Sequence, residues 1–340
     1  MSTGSTEHGG PCPALSARVS ETEGMRDQTV PRVSVLMPVF NTAPYLREAL
    51  ISIRSQSFED FELVVVNDGS TDRSSEILKV FASQEPRVRL IERGNVGLIA
   101  TRNELLEEAR GEFVAWMDSD DIAHSDRLRT LLSKFESDHR IVCVGSNVQV
   151  IDPCGKPLGV EAYAPDHEAI RSDQLSGSGM RFPSTMQRRS AAKLAGGFRE
   201  PFRIGEDLDY LLRVGEVGLL ANVESILYYY RQHLSSTCTL HGANWIMHRD
   251  LVLSLAHERN KEGADILQRG GVLTLPSTEP TDVRKFVPLV LLSWARGALE
   301  YGDRPRALRY LARAVGAAPF KKWVWRSALR LMFSRRLLLG

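Results

Sequence analysis

Asp118, Asp120 and Asp121 put three carboxylates into four positions of the stretch "WMDSDD", directly after an apolar run. Unscreened acids this close repel one another at about 4 kcal/mol per pair at ~4 Å and an effective dielectric of ~20. A solvated turn is the plain explanation of one such cluster, because Asp and Ser form turns and caps well. Two features favour chemistry instead: the cluster follows "FVAWM", the mouth of a buried strand, and it is one of a series of polar strand ends. Paired carboxylates facing one cavity suit a hard divalent cation. Mg²⁺ or Mn²⁺ takes oxygen ligands, with phosphate oxygens and water completing the shell. Such a cation stabilises charge growing on a departing diphosphate. A site of that kind also needs a nucleotide pocket and a base.

Other polar strand ends offer both. In "NDGSTD" (67–72), Asp68 follows Val64–Val66 and precedes Gly69, so its carboxylate can accept the N3–H of uracil or thymine, or satisfy a local turn. "GNVG" (94–97) lacks the dinucleotide fingerprint and reads as a loop feeding a helix N-terminus towards phosphate. No P-loop pattern occurs. In "GEDLDYLLR" (205–213), Glu206 and Asp207 open a helix, where the macrodipole favours acids whether or not one of them is a base. His233 ends a strand, which is compatible with a structural role or with a ligand role.

These residues need a frame. Residues 33–39, 61–70, 88–92 and 112–118 are short, nearly continuous apolar runs, and helical spacing at 45–56, 74–83 and 97–109 alternates with them. That alternation predicts a mostly parallel sheet with helices on both faces, an α/β, Rossmann-like class. Ligands of open α/β sheets bind beyond the carboxyl ends of the strands, where Asn41, "NDGSTD", "GN" and "DSDD" fall. Further on, 125–137 reads as helix, 141–152 as strand, 206–218 as helix and 224–233 as containing a strand. Residues 153–205 read as irregular, and beyond about 240 the pattern is helical only. The expected organisation is a disordered leader (1–30), a catalytic domain (31–240, with halves 31–122 and 123–240) and a helical C-terminal region (241–340).

Bulk composition is that of a globular chain: 340 residues, 43% hydrophobic and 25% charged. A net charge of +1 gives no argument for nucleic acid as partner. Cys12, Cys143, Cys154 and Cys238 form neither a disulfide framework nor a zinc pattern, so a reducing, cytoplasmic setting is expected. No signal peptide or membrane-spanning run is evident in the sequence.

"VSVLMPVFN", "NDGSTD", "GNVGLIATRN", "DSDD", "FPSTMQRRS…GGF", "GEDLDYLLR" and "YYRQH", in that order over about residues 32–236, resemble the family 2 glycosyltransferases, inverting enzymes of the GT-A fold. The resemblance implies transfer of a sugar from a nucleotide-diphosphate sugar, a UDP-sugar by expectation, to a saccharide or lipid-linked acceptor in surface polysaccharide or glycolipid synthesis, with Mn²⁺ or Mg²⁺. It implies that Pro38, Phe40 and Asn41 line the base pocket with Asp68. Asp118 and Asp120 become the Asp-x-Asp pair, with Asp120 on the metal and Asp118 sharing it or touching the ribose. Asp207 becomes the general base and His233 a partner of metal or diphosphate, with Arg102 and Arg231 near the diphosphate. One departure is visible: Phe182-Pro183-Ser184 stands where many relatives have His-Pro-Ser/Thr.

Two other functions fit parts of the pattern. A sugar-1-phosphate nucleotidyltransferase also uses metal and nucleotide, but its Gly-rich, Arg-containing loop is replaced here by "PVFNTAPYL". A non-catalytic, membrane-docked scaffold is the third reading. From Arg304 to the end there are ten Lys/Arg and no Asp/Glu, and residues 319–340 interleave Trp and Phe with these cations. That composition suits an interfacial helix on anionic lipid, on the inner face of the cell membrane, or a helix packed on the body with solvated arginines.

Overall fold

A computed structural model describes residues 30–236, 245–275 and 286–333. The leader through residue 29, Cys12, Cys238, Arg335 and Arg336 lie outside the described residues. The central strand is β1 (Val33–Val39), apolar at nearly every position because it is covered on both faces. It pairs in parallel with β2 (Phe61–Asp68) and β4 (Phe113–Trp116), and β3 (Val88–Arg93) extends the parallel set beyond β2. Helices α1 (Ala43–Arg54), α2 (Ser74–Ala82) and α3 (Leu98–Glu108) cross between these strands. Helix α1 buries Leu46, Ala49, Leu50 and Ile53, one stripe at 3.6-residue spacing.

Beyond β4 the sheet becomes mixed. After β5 (Ile122–Ala123) and α4 (Arg127–Ser137) comes β6 (Ile141–Ile151), followed by β7 (Pro157–Glu161), α5 (His167–Gln174), β8 (Met186–Arg188), α6 (Arg189–Leu194), α7 (Glu206–Val217) and β9 (Leu219–Arg231). The strand order is β3-β2-β1-β4-β8-β6-β9-β5, with β7 on β6. Strand β8 runs antiparallel to β4 and β6, whereas β6 and β9 are parallel. The segment 153–205, expected to be irregular, therefore carries two strands and two helices. Its strands are only five and three residues long, too short to show periodicity.

The helices α8 (Trp245–Glu262), α9 (Val287–Glu300), α10 (Arg304–Ala317) and α11 (Lys322–Met332) follow. Helices α9–α11 share one apolar cluster with Val150 of β6 and Leu158 of β7. Helix α8 packs against α7 around Phe202, Leu208, Leu212 and Val252. Among the described residues no helix is long and apolar enough to cross a membrane.

The approach of α9 to β7 depends on Gly297. A Cβ there would stand 2.9 Å from the Leu158 carbonyl carbon and closer still to its oxygen. Gly297→Ala should destabilise the fold by about 1–3 kcal/mol through overpacking. An exposed helical glycine would instead gain ~1 kcal/mol on the same change. Urea unfolding separates the two, since only the close approach lowers the midpoint.

Candidate active site

The acidic turn emerges where β4 ends. Below it, Trp116 is buried between the rings of Phe182 and Phe198, with centroids at 5.0 and 5.3 Å. The fully buried Arg127 donates to the carbonyls of Trp116 (2.7 Å) and Pro183 (3.0 Å), fixing the strand end. Above it, one carboxylate oxygen each from Asp118, Asp120 and Asp121 lies within 4.8 Å of the others. Burial pushes Asp118 up to about 6; Arg102 and Arg181 oppose the shift, and the charges of Asp120 and Asp207 add to it. Burial, then Asp120 and Asp118, raise Asp121 well above the carboxylate range. Oδ2 of Asp121 is buried without a hydrogen-bond partner. An unpartnered oxygen among three mutually repelling carboxylates is what a bound dication relieves, so the donor set fits a hard metal.

Neighbouring elements meet this turn mostly with polar side chains. The Asp118 N–H donates to the Tyr228 hydroxyl (3.1 Å). His233 Nε2 lies 2.8 Å from Asp120 Oδ2, and its ring packs on Tyr45. Arg102 is buried, with Nη1 on Glu206 Oε1 (2.7 Å) and Nη2 4.0 Å from Asp118 Oδ1. Its guanidinium lies 4.7 Å from the Phe182 ring centroid, so the residue that replaces the expected histidine supplies an aromatic face for this cation. Burial pushes Glu206 up to about 7, with the charge of Asp207 adding and Arg102 opposing.

The loops after β1 and β2 form the adjoining edge. Pro38 is half-buried, Phe40 is 48% exposed, and Asn41 adopts φ 53°, a left-handed conformation that Asn tolerates. Asn41 Oδ1 accepts from the Thr71 N–H (2.8 Å), tying the two loops together. Thr42 Oγ1 donates to Ser119 Oγ (2.9 Å) and joins them to the acidic turn. Asp68 is buried; its carboxylate takes the N–H groups of Val96 and Gly97 (both 2.9 Å) and pairs with Arg93. Two amides that the sequence offers to phosphate at the "GNVG" loop are thus spent on Asp68.

Asp207 stands at the N-terminus of α7 and lines a cavity of about 120 Å³ with Tyr163, Arg181, Phe182 and Trp245. A second cavity of about 300 Å³ runs from Asn95–Ile99 to Arg203 and Glu206. Asp118, Asp120, His233 and Arg102 are brought together, Asp207 follows Glu206, the partner of Arg102, and Asn41 and Thr42 tie the loops that carry Pro38, Phe40 and Asp68 to the same edge. Arg231 does not face the site: Nε donates to the Asp120 carbonyl (2.7 Å) and Nη2 to Glu48 (2.6 Å), and the side chain is fully buried. Sequence reasoning missed the pairing of Glu206 with Arg102, and it missed Tyr228 and Arg181 altogether. Only the run of titratable groups "YYYR" hinted at Tyr228.

The sequence profile described as glycosyl transferase family 2 matches residues 34–194. A hyaluronan synthase of Pasteurella multocida is 27% identical over 216 residues, 64% of this chain and 22% of that protein. The chain thus spans about a fifth of that relative's length. The structure of S. aureus TarS 1–349 in complex with UDP-GlcNAc superposes with a TM-score of 0.52 at 17% identity, covering 85% of this chain and 82% of that one. A mannosyltransferase of Pyrobaculum calidifontis, PcManGT, in complex with GDP-Man and Mn²⁺, superposes with a TM-score of 0.50 at 17% identity, covering 94% and 86%. The mixed, mostly parallel sheet with helices on both faces is that of the GT-A fold. Residues 34–194 carry the sequence pattern of the family 2 glycosyltransferases, and the chain is similar to glycosyltransferases that include polysaccharide synthases.

Proposed function

We propose that the protein is an inverting, metal-dependent glycosyltransferase that moves a sugar from a nucleotide-diphosphate sugar, a UDP-sugar, to an acceptor hydroxyl of a saccharide or lipid-linked acceptor, in surface polysaccharide or glycolipid synthesis. The observation that supports this reading best is that Arg102 bridges the acidic turn and the start of α7, with Nη2 4.0 Å from Asp118 Oδ1 and Nη1 2.7 Å from Glu206 Oε1, the residue before Asp207. The solved neighbours, with UDP-GlcNAc in one and GDP-Man and Mn²⁺ in the other, support the donor class.

Asp118 and Asp120 would hold the cation, with His233 beside Asp120. Bound there, Mn²⁺ or Mg²⁺ supplies Lewis-acid stabilisation of the charge on the leaving diphosphate. The chain's own residues do the rest. Asp207 takes the proton of the acceptor hydroxyl as its oxygen forms the bond to the anomeric carbon. The bond from that carbon to the diphosphate breaks, and its electron pair leaves on the phosphate oxygen. Attack from the face opposite the leaving group inverts configuration. Arg102, held on Glu206 and 4.0 Å from Asp118, adds positive potential at the leaving side. Phe40, exposed at the loop after β1, offers a face for the base beside Asn41 and Asp68.

The partner surface we assign to α11 is anionic lipid on the cytoplasmic face of the membrane. Val324 and Ala328 are buried against α9 and α10, so this helix does pack on the body. Its outward side carries Trp325, Leu329 and Phe333 at four-residue spacing beside Lys322, Arg326 and Arg330 at the same spacing. One line is apolar and the next cationic, the division an interfacial helix uses, at ~1 kcal/mol per basic residue near anionic lipid.

Asp207→Asn should lower transfer about 10²–10⁴-fold, the usual contribution of a general base, with UDP affinity nearly unchanged; near-normal turnover removes the base assignment. Wild-type protein given a UDP-sugar and Mn²⁺ should release UDP, whereas pyrophosphate exchange would identify a nucleotidyltransferase. Asp120→Asn should abolish the rise in melting temperature that Mn²⁺ adds to UDP, read by mass-action stabilisation. For the tail, the double variant Trp325→Ser/Leu329→Ser should lose co-sedimentation with phosphatidylserine vesicles while keeping its melting temperature. Equal pelleting with the unmutated chain would refute the lipid assignment.

A further inference from the structure

We propose that Arg306 and Tyr310 of α10 are positioning residues for the acidic turn, acting through Asp152 and Arg231 on Asp120 and Asp121. The inference rests on the metal reading of that turn and adds residues outside the matched segment 34–194.

The linkage can be followed bond by bond. Asp152, at the end of β6, is fully buried. Its Oδ2 accepts from Arg306 Nη1 (3.0 Å) and from the Tyr310 hydroxyl (2.7 Å). Its Oδ1 accepts the N–H groups of Cys154 (2.8 Å) and Lys156 (3.0 Å), which closes the turn 152–156 around the carboxylate. Arg306 Nη2 also reaches the Pro157 carbonyl (2.9 Å). Helix α10 therefore holds both the start and the end of this turn.

The turn then holds Arg231. The carbonyl of Pro153 accepts from Arg231 Nη1 at 3.2 Å, with the Asp152 carbonyl at 3.5 Å. With one fork held there and the other on Glu48, Nε of Arg231 points at the Asp120 carbonyl (2.7 Å). The main-chain N–H of Arg231 meets Asp121 Oδ1 at 2.6 Å. Two residues on, His233 meets Asp120. Between them, Gln232 Oε1 accepts from Trp294 Nε1 of α9 (3.0 Å). The end of β9 thus grips the acidic turn, and the C-terminal helices grip the end of β9.

Three close carboxylates open the turn unless something fixes its backbone. Arg231 fixes it through the Asp120 carbonyl and Asp121 Oδ1, contacts that occupy no carboxylate oxygen of Asp118 or Asp120. Partners that orient metal ligands from outside typically change metal affinity by ~10–100-fold.

The test uses the full-length chain and reads Mn²⁺ titrations of UDP binding by calorimetry, with UDP affinity in chelator as reference. Arg306→Gln should raise the Mn²⁺ concentration for half-effect about tenfold, leaving UDP affinity in chelator unchanged. Tyr310→Phe, which removes one hydroxyl and no bulk, should move it in the same direction by less. Arg306→Lys, which keeps a cation for Asp152, should recover part of the loss. A merely structural role lowers the melting temperature of these variants without moving the Mn²⁺ dependence, and that result overturns the inference. If the wild-type chain shows no Mn²⁺ effect on UDP binding, the metal reading itself fails and this inference falls with it. A wild-type effect matched by folded variants sinks this inference alone.

Discussion

Mutual repulsion among Asp118, Asp120 and Asp121, imposed at the end of a buried strand, is the constraint that the surrounding structure answers. Burial alone disfavours charge on Asp118 and Asp121, and each acid makes the next one worse. The fold could have neutralised the cluster with direct ion pairs. It does so only at arm's length: the nearest arginine to Asp118 is 4.0 Å away and is already committed to Glu206 at 2.7 Å. The other neighbours are the Tyr228 hydroxyl, which accepts the Asp118 N–H, the His233 imidazole beside Asp120 and the Arg231 N–H on Asp121. Among the described residues no guanidinium comes closer than 4.0 Å to a carboxylate of the turn, which leaves a negative potential of the kind a dication needs.

The topology explains why these groups meet. In the parallel half, every crossover returns its loop to the same edge, so the ends of β1, β2, β3 and β4 collect there. The antiparallel insertion of β8 between β4 and β6 then lets β9 run parallel to β6 and finish near the same turn. Helix α7 begins nearby and presents two adjacent acids to different environments. Glu206 is paired with Arg102 and borders the cavity of about 300 Å³, while Asp207 lines the one of about 120 Å³. One position along a helix is about 100° of rotation, enough to turn the two acids into different surroundings.

The parallel half and the acids at its strand ends were legible in the sequence, because continuous apolar runs ending in Asn, Asp and Gly carry their own signal. The second half was not. Strand β7 is short and half-buried, β8 has only three residues, and α5 buries only Ile170 and Gln174, so neither period rises above the background of Gly, Pro and Ser. The part played by Arg231 was also hidden. A guanidinium at a strand end can face ligand or protein, and which it does is decided by Glu48 and Pro153, remote in sequence. In α11 the composition suited either an interfacial helix or one packed on the body, and it did not show the division: Val324 and Ala328 go to the core, and the large apolar side chains go outward.

That division has a mechanical consequence. Helices α9, α10 and α11 share one core with Val150 and Leu158 of the sheet, and Gly297 lets α9 lie directly against Leu158. The same α10 that supports α11 carries Arg306 and Tyr310 on the buried Asp152. The outward stripe of α11 is therefore fixed to the sheet through packed side chains rather than strung on a linker. A surface engaged by Trp325, Leu329 and Phe333 would hold the cleft at a set orientation, with Asp207 at a set height above it. A flexible tether would fix only a maximum distance and leave the angle of approach open.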